Sequence, residues 1–139
     1  KGIQSTLSQY KEDVDMHPTQ WPKKYAFENL RIKRYLCDSN QQHDFHSDVV
    51  NKDSAKRFFS IICYLNEDFD GGHTLFPMFD QKFKPSKGSI LLFPCTWSYL
   101  HKGSECTNGY AKYILGTFLN YVTGHETVRS GDKILGKPQ

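Results

Sequence analysis

Ile3, Leu7, Tyr10 and Val14 recur at three- and four-residue intervals, and Glu12, Asp13 and Asp15 fall off that stripe. This spacing gathers apolar side chains on one face of a helix, so residues 3–14 are predicted as a single amphipathic helix. His17-Pro18-Thr19-Gln20-Trp21-Pro22 ends it, because each proline drives its predecessor out of the helical region. From Arg31 the pattern changes to strands and turns. Ile32 to Leu36 alternates, Phe58 to Leu65 is a near-continuous apolar run, and Gly88 to Phe93 and Ala111 to Val122 are two further strands. Asp70-Gly71-Gly72 and Lys84-Pro85-Ser86-Lys87-Gly88 carry turn chemistry. Residues 124–139 are polar with scattered glycine and are expected to be loosely ordered.

One helix followed by short strands predicts a mainly β domain, a sandwich or barrel of the jelly-roll kind with the N-terminal helix packed on one sheet. The mouth of such a barrel lets side chains from distant strands meet on one ligand. At 139 residues the chain is one domain, residues 1–139, with a core over about 31–122. Ten Phe, eight Tyr and two Trp reinforce the β assignment, since aromatic side chains suit pleated, half-buried surfaces. No stretch approaches the ~18 apolar residues of a membrane-spanning helix, and no charged-then-apolar leader opens these residues. A net charge of +3 with scattered basic residues argues against a nucleic-acid groove. Cys37, Cys63, Cys95 and Cys106 form no CxxC pair and no close zinc spacing, so four reduced thiols and a cytoplasmic location are expected.

The candidate chemistry lies in His46-Ser47-Asp48 and in His101, 53 positions beyond Asp48. Two imidazoles and a carboxylate on one face of an octahedron hold Fe(II) and leave positions open for oxygen chemistry. On a strand, residues two apart point the same way, so His46 and Asp48 are expected to share the barrel interior, with His101 arriving from a distant strand. An HxD triplet alone arises readily by chance. Its weight comes from what surrounds it.

Arg57 to Leu65-Asn66 ends in Tyr-Leu-Asn, and Gly71-Gly72-His73-Thr74-Leu75-Phe76-Pro77 follows. Lys84-Pro85-Ser86-Lys87-Gly88-Ser89-Ile90-Leu91-Leu92-Phe93-Pro94, His101-Lys102-Gly103 and Gly109-Tyr110-Ala111-Lys112 complete the series. Taken together over about residues 31–120, the pattern resembles the 2-oxoglutarate- and Fe(II)-dependent dioxygenases, in particular their prolyl 4-hydroxylase-like branch. The resemblance implies the double-stranded β-helix form of the jelly roll. It implies His46, Asp48 and His101 as iron ligands and Lys112 as the cation that holds the distal carboxylate of 2-oxoglutarate. Tyr64 and, by a looser alignment, Tyr35 would add hydroxyls beside the co-substrate, and Arg57 would have a structural role. Oxygen is the other co-substrate, succinate and carbon dioxide are products, and ascorbate is an implied reductant. The retained Asp48 favours hydroxylation over halogenation, because halogenating relatives lack the carboxylate.

Two positions depart from the pattern: His43 stands where relatives often carry an aromatic residue, and His73 stands where an acidic residue is usual. Both are read as loop residues outside the chemistry. The expected substrate is a peptide or protein containing proline, the alternatives being free proline, another amino acid or a small molecule. A non-catalytic jelly-roll binding module is a further alternative, disfavoured by the intact triad and Lys112. Residues 43–56 and 78–83 are the candidate substrate loops.

Overall fold

The computed structural model describes residues 2–41, 43–123 and, as backbone, 134–135. The helix α1 spans Ile3–Asp13. Eleven strands follow: β1 Tyr25–Phe27, β2 Arg31–Leu36, β3 Arg57–Tyr64, β4 Phe69–Gly71, β5 Thr74–Phe76, β6 Gln81–Phe83, β7 Ile90–Pro94, β8 Lys102–Gly103, β9 Cys106–Gly109, β10 Ala111–Tyr121 and β11 Ile134–Leu135. The longer strands fall where the hydrophobic pattern put them. The expectation of a loose tail lies mostly outside the described residues, although β11 within it pairs antiparallel with β1.

The large sheet runs β11-β1-β10-β3-β7, with β2 also pairing β10. Both β1 and β2 use β10: β2 takes residues 111–116 and β1 takes 119–121. Smaller sheets β6-β5-β8 and β4-β9 close the other side. Side-chain hydrogen bonds cross the gap between layers, from the Tyr64 hydroxyl to the Thr74 hydroxyl and from Lys112 to the Gly72 carbonyl. The result is a jelly roll with the helix on its large sheet.

The alternation of β3 divides the work of the molecule. Phe59, Ile61 and Cys63 face outward and pack with Leu7 of α1, Tyr25 and Leu119 into the core. Trp21, just past the helix, meets Tyr25, Phe58 and Phe59 edge to face, a geometry worth about 0.5–1.5 kcal/mol per pair beyond area burial. The opposite face of β3 turns Ser60, Ile62 and Tyr64 into the pocket between layers. The helix thus stiffens the back of the sheet that carries the site.

The cysteines divide in a way the sequence did not suggest. Cys63 and Cys95 are free and buried, as expected of small apolar residues in strands. Cys37 and Cys106 instead form a disulfide, with Cα atoms 4.7 Å apart. The end of β2 and the start of β9 run side by side, the Asp38 amide donating to the Cys106 carbonyl at 3.0 Å. That approach joins the two thiols across 69 residues, which corrects the expectation of four reduced cysteines.

Candidate active site

His46, Asp48 and His101 converge at one end of the pocket, their ligand atoms all within 4.8 Å of one another. Asp48 Oδ1 lies 3.8 Å from Nε2 of both histidines. Nitrogen and oxygen ligands bind first-row divalent ions at about 2.1 Å, so ligands at right angles sit ~3 Å apart and a small contraction would close this set on one ion. His46 does not lie in a strand as expected. It forms an isolated antiparallel bridge with His101, each amide donating to the other's carbonyl at 3.0 Å. The bridge aligns both rings, and the turn after it brings Asp48 alongside.

Each imidazole is oriented by the carbonyl two residues before it. His46 Nδ1 donates to Asp44 at 2.9 Å and His101 Nδ1 donates to Tyr99 at 2.8 Å. A carbonyl only accepts, so the proton sits on Nδ1 and the lone pair of each Nε2 faces Asp48. Burial holds His101 toward its neutral form, against the attraction of Asp48, and neutral imidazole is the form that binds metal. The other carboxylate oxygen, Asp48 Oδ2, accepts from Ser60 Oγ at 2.5 Å. Arg57 clamps the same turn: it pairs with Glu28 at 2.7 and 3.0 Å and donates to the Asp48 carbonyl at 3.4 Å. Two nitrogens, one carboxylate and their supporting bonds fit a facially bound divalent iron.

The same pocket holds Lys112, only 5% exposed. Its ammonium donates to the Gly72 carbonyl at 2.6 Å and lies 5.6 Å from the ring centres of both Tyr35 and Tyr64. No carboxylate pairs with it among the described residues. Burial pulls its pKa down to about 8. Such a group lowers its own free energy by meeting an anion. Tyr64 shares a 2.6 Å hydrogen bond with Thr74, and burial raises the pKa of Tyr64 and Tyr35, keeping both hydroxyls protonated and able to donate. Gly72 and Gly103 leave room for the lysine: a Cβ on Gly72 would come within 3.1 Å of Lys112 Cδ. Ile62, Ile114 and Phe118 supply apolar wall to the pocket.

The structure therefore gathers all six predicted site residues into one pocket. It adds Thr74 and Ser60, and it also adds His43, which the sequence reading had set aside as a loop residue. His43 lines the pocket and meets Tyr35 and His46 edge to face. Its signal was available, since it stands where relatives carry an aromatic ring. His73 stays outside the pocket lining, its amide bonded to Ser104 Oγ. Met78, Phe79 and Phe83 do not line the pocket either; Phe79 and Phe83 flank a separate apolar groove.

The family model of the 2OG-Fe(II) oxygenase superfamily matches residues 30–120. A curated protein of Acanthamoeba polyphaga mimivirus, named "Putative prolyl 4-hydroxylase", is 35% identical over 98 residues, covering 59% of this chain. The chain spans 40% of that relative's length. Among solved structures, the viral collagen prolyl hydroxylase of Paramecium bursaria Chlorella virus-1, in complex with 2OG, superposes with a TM-score of 0.68 at 26% identity. That match covers 86% of this chain and 72% of the other. A Trichoplax adhaerens prolyl hydroxylase, complexed with a hypoxia inducible factor peptide fragment, shares the fold with a TM-score of 0.58 at 21% identity, over 68% of this chain and 44% of that one. With its fold, its His-Asp-His group and a family match through every strand of the pocket, the chain belongs to the 2OG-Fe(II) oxygenase superfamily, in which it is similar to prolyl 4-hydroxylases.

Proposed function

We propose that this chain hydroxylates prolyl residues of a peptide or protein at C4, using Fe(II), 2-oxoglutarate and oxygen and releasing succinate and carbon dioxide. The observation that carries the reading is the pairing of His46, Asp48 and His101 with the buried, unpaired Lys112 in one pocket. The 35% identity to the mimivirus protein and the likeness to the viral collagen prolyl hydroxylase support the choice of proline.

His46 Nε2, Asp48 Oδ1 and His101 Nε2 would hold the ion. When bound, the iron with its co-substrates supplies an oxidant able to place one oxygen atom into a C–H bond and the other into succinate. The rest is the work of the chain. Lys112 would take the distal carboxylate of 2-oxoglutarate as a charge-assisted pair, with Tyr64 and Tyr35 as additional hydroxyl donors. The bond between Tyr64 and Thr74 holds one of those donors before the ligand arrives. Ile62, Ile114 and Phe118 keep water from the space between anchor and metal. Ser60 holds Asp48 in its rotamer, and the Arg57–Glu28 pair steadies the turn behind it. Ascorbate belongs to the proposal as the reductant that rescues iron oxidised without substrate.

Under anaerobic conditions, Fe(II) and 2-oxoglutarate should give a weak visible charge-transfer band that His46→Ala and Asp48→Ala abolish. Proline-containing peptides incubated in air should gain one oxygen by mass spectrometry. Absence of the band together with absence of succinate in air would end the enzyme reading. A band with oxidation only of free amino acids would move the substrate to the small-molecule class.

A further inference from the structure

Strand β2 is built inside out. Arg31, Lys33 and Tyr35 face the pocket, while Ile32, 69% exposed, and Leu36 face solvent. Hydrophobic patterning alone would turn this strand over, and a one-residue shift in its pairing with β10 would do so. The register is instead Lys112 with Tyr35, Ile114 with Lys33 and Gly116 with Arg31, which lines the pocket mouth with two cations. A strand that breaks the local rule at a functional pocket points to a ligand.

From this arrangement we propose that the chain selects polypeptide substrates by acidic side chains flanking the target residue, with Arg31 and Lys33 as their partners. This rests on the peptide-hydroxylase reading and names the class of peptide. Neither cation has an ion pair among the described residues. Two carboxylates of the same region are already engaged: Glu28 with Arg57 and Asp48 with Ser60.

The space beside the cations is open. Gly116 lies opposite Arg31 on one side and Ile62 on the other, and a Cβ there would find no atom nearer than 4.0 Å. Two residues along a strand rise about 6.7 Å, and two along an extended polyproline-like peptide rise ~6.2 Å. Carboxylates at alternate positions of a substrate therefore match the spacing of the Arg31 and Lys33 stems.

The test uses three fluorescent peptides with one shared proline core, flanked immediately on both sides by Asp, Asn or Lys, so that the two variable side chains stand at alternate positions. Each is titrated by anisotropy into protein loaded with Mn(II) and 2-oxoglutarate, and succinate release is followed separately with Fe(II). The Asp peptide should bind about tenfold tighter than the Asn peptide, the sum expected of two partly exposed pairs, and the Lys peptide weaker still. Arg31→Glu with Lys33→Glu should invert the order, whereas Lys24→Glu with Lys87→Glu, an equal charge change away from the pocket lining, should preserve it. If the charge reversal unfolds the protein, Arg31→Gln with Lys33→Gln should flatten the order. Equal affinities, no binding of any peptide, or an order that survives loss of both cations would overturn the proposal. A charge-dependent order without succinate would sustain it and reject the oxygenase chemistry instead.

Discussion

Lys112→Met should make the ligand-free protein more stable while removing its response to 2-oxoglutarate. The lysine is nearly inaccessible, and burial lowers its pKa from 10.5 to about 8. At 1.36 kcal/mol per unit, keeping the ammonium charged in the fold costs about 3 kcal/mol below pH 8. Methionine avoids that cost and fills similar space, but leaves the Gly72 carbonyl without its 2.6 Å partner, a loss of about 1 kcal/mol. The net gain is about 2 kcal/mol, or about 5–10 °C in melting temperature for a domain of this size. The sign follows from linkage. The unfolded chain keeps the lysine proton up to about 10.5 and the folded chain only to about 8, so wild-type stability climbs between those values and the variant's advantage disappears by about pH 10. Circular-dichroism melts in EDTA at pH 6.5 and pH 10 would measure both. With both proteins already loaded with Mn(II), adding 2-oxoglutarate should raise the wild-type transition, by about 2.7 kcal/mol of stability at a hundredfold excess over Kd, and leave the Mn(II)-loaded variant where it was. A variant that melts below wild type at pH 6.5, or a gap that persists at pH 10, would refute the account of Lys112 as a cation waiting for an anion.

Ser60→Ala removes the hydrogen bond to Asp48 Oδ2 and should weaken Mn(II) binding about 10- to 100-fold by calorimetry; unchanged affinity would show that the Asp48 rotamer needs no such support. Gly72→Ala places a methyl at φ +62°, 2.8 Å from the Phe69 ring and 3.1 Å from Lys112 Cδ. It should cost about 1–2 kcal/mol of stability and raise KM for 2-oxoglutarate more than it lowers kcat; a pure kcat loss would place the disturbance elsewhere. Reducing the Cys37–Cys106 disulfide frees a 69-residue separation in the unfolded chain and should cost about 4 kcal/mol in the loop-entropy description. Intact mass before and after reductant, with parallel melts, checks both the bond and its worth.

The metal triad was legible because its spacing has a chemical reason, and the surrounding motifs lifted it above chance. Lys112 was singled out only through the family resemblance, since a lone lysine on a strand carries no chemical signal of its own, and the structure places it in the same pocket. The long strands β3 and β10 carry enough residues for a pattern to emerge, whereas β4, β5, β6, β8 and β9 have two to four residues each, too few to show a period. They form because the longer strands bring their neighbours into register. Cys37 and Cys106 lacked any local sign of pairing, since only the packing of β2 against β9 makes them neighbours. His43 escaped notice because its role comes from ring contacts with Tyr35 and His46 rather than from ligand spacing. The inverted face of β2 could be read only after its register with β10 was known.

The reciprocal bridge between His46 and His101 makes two amide protons part of the same device as the two imidazoles. Parting the backbone at either histidine breaks both hydrogen bonds, so the two main-chain segments open together. Exchange of these two amides with solvent deuterium should therefore be coupled, and Mn(II) held by the two rings should slow both together. Two candidate ligands 55 residues apart thus share a single backbone opening.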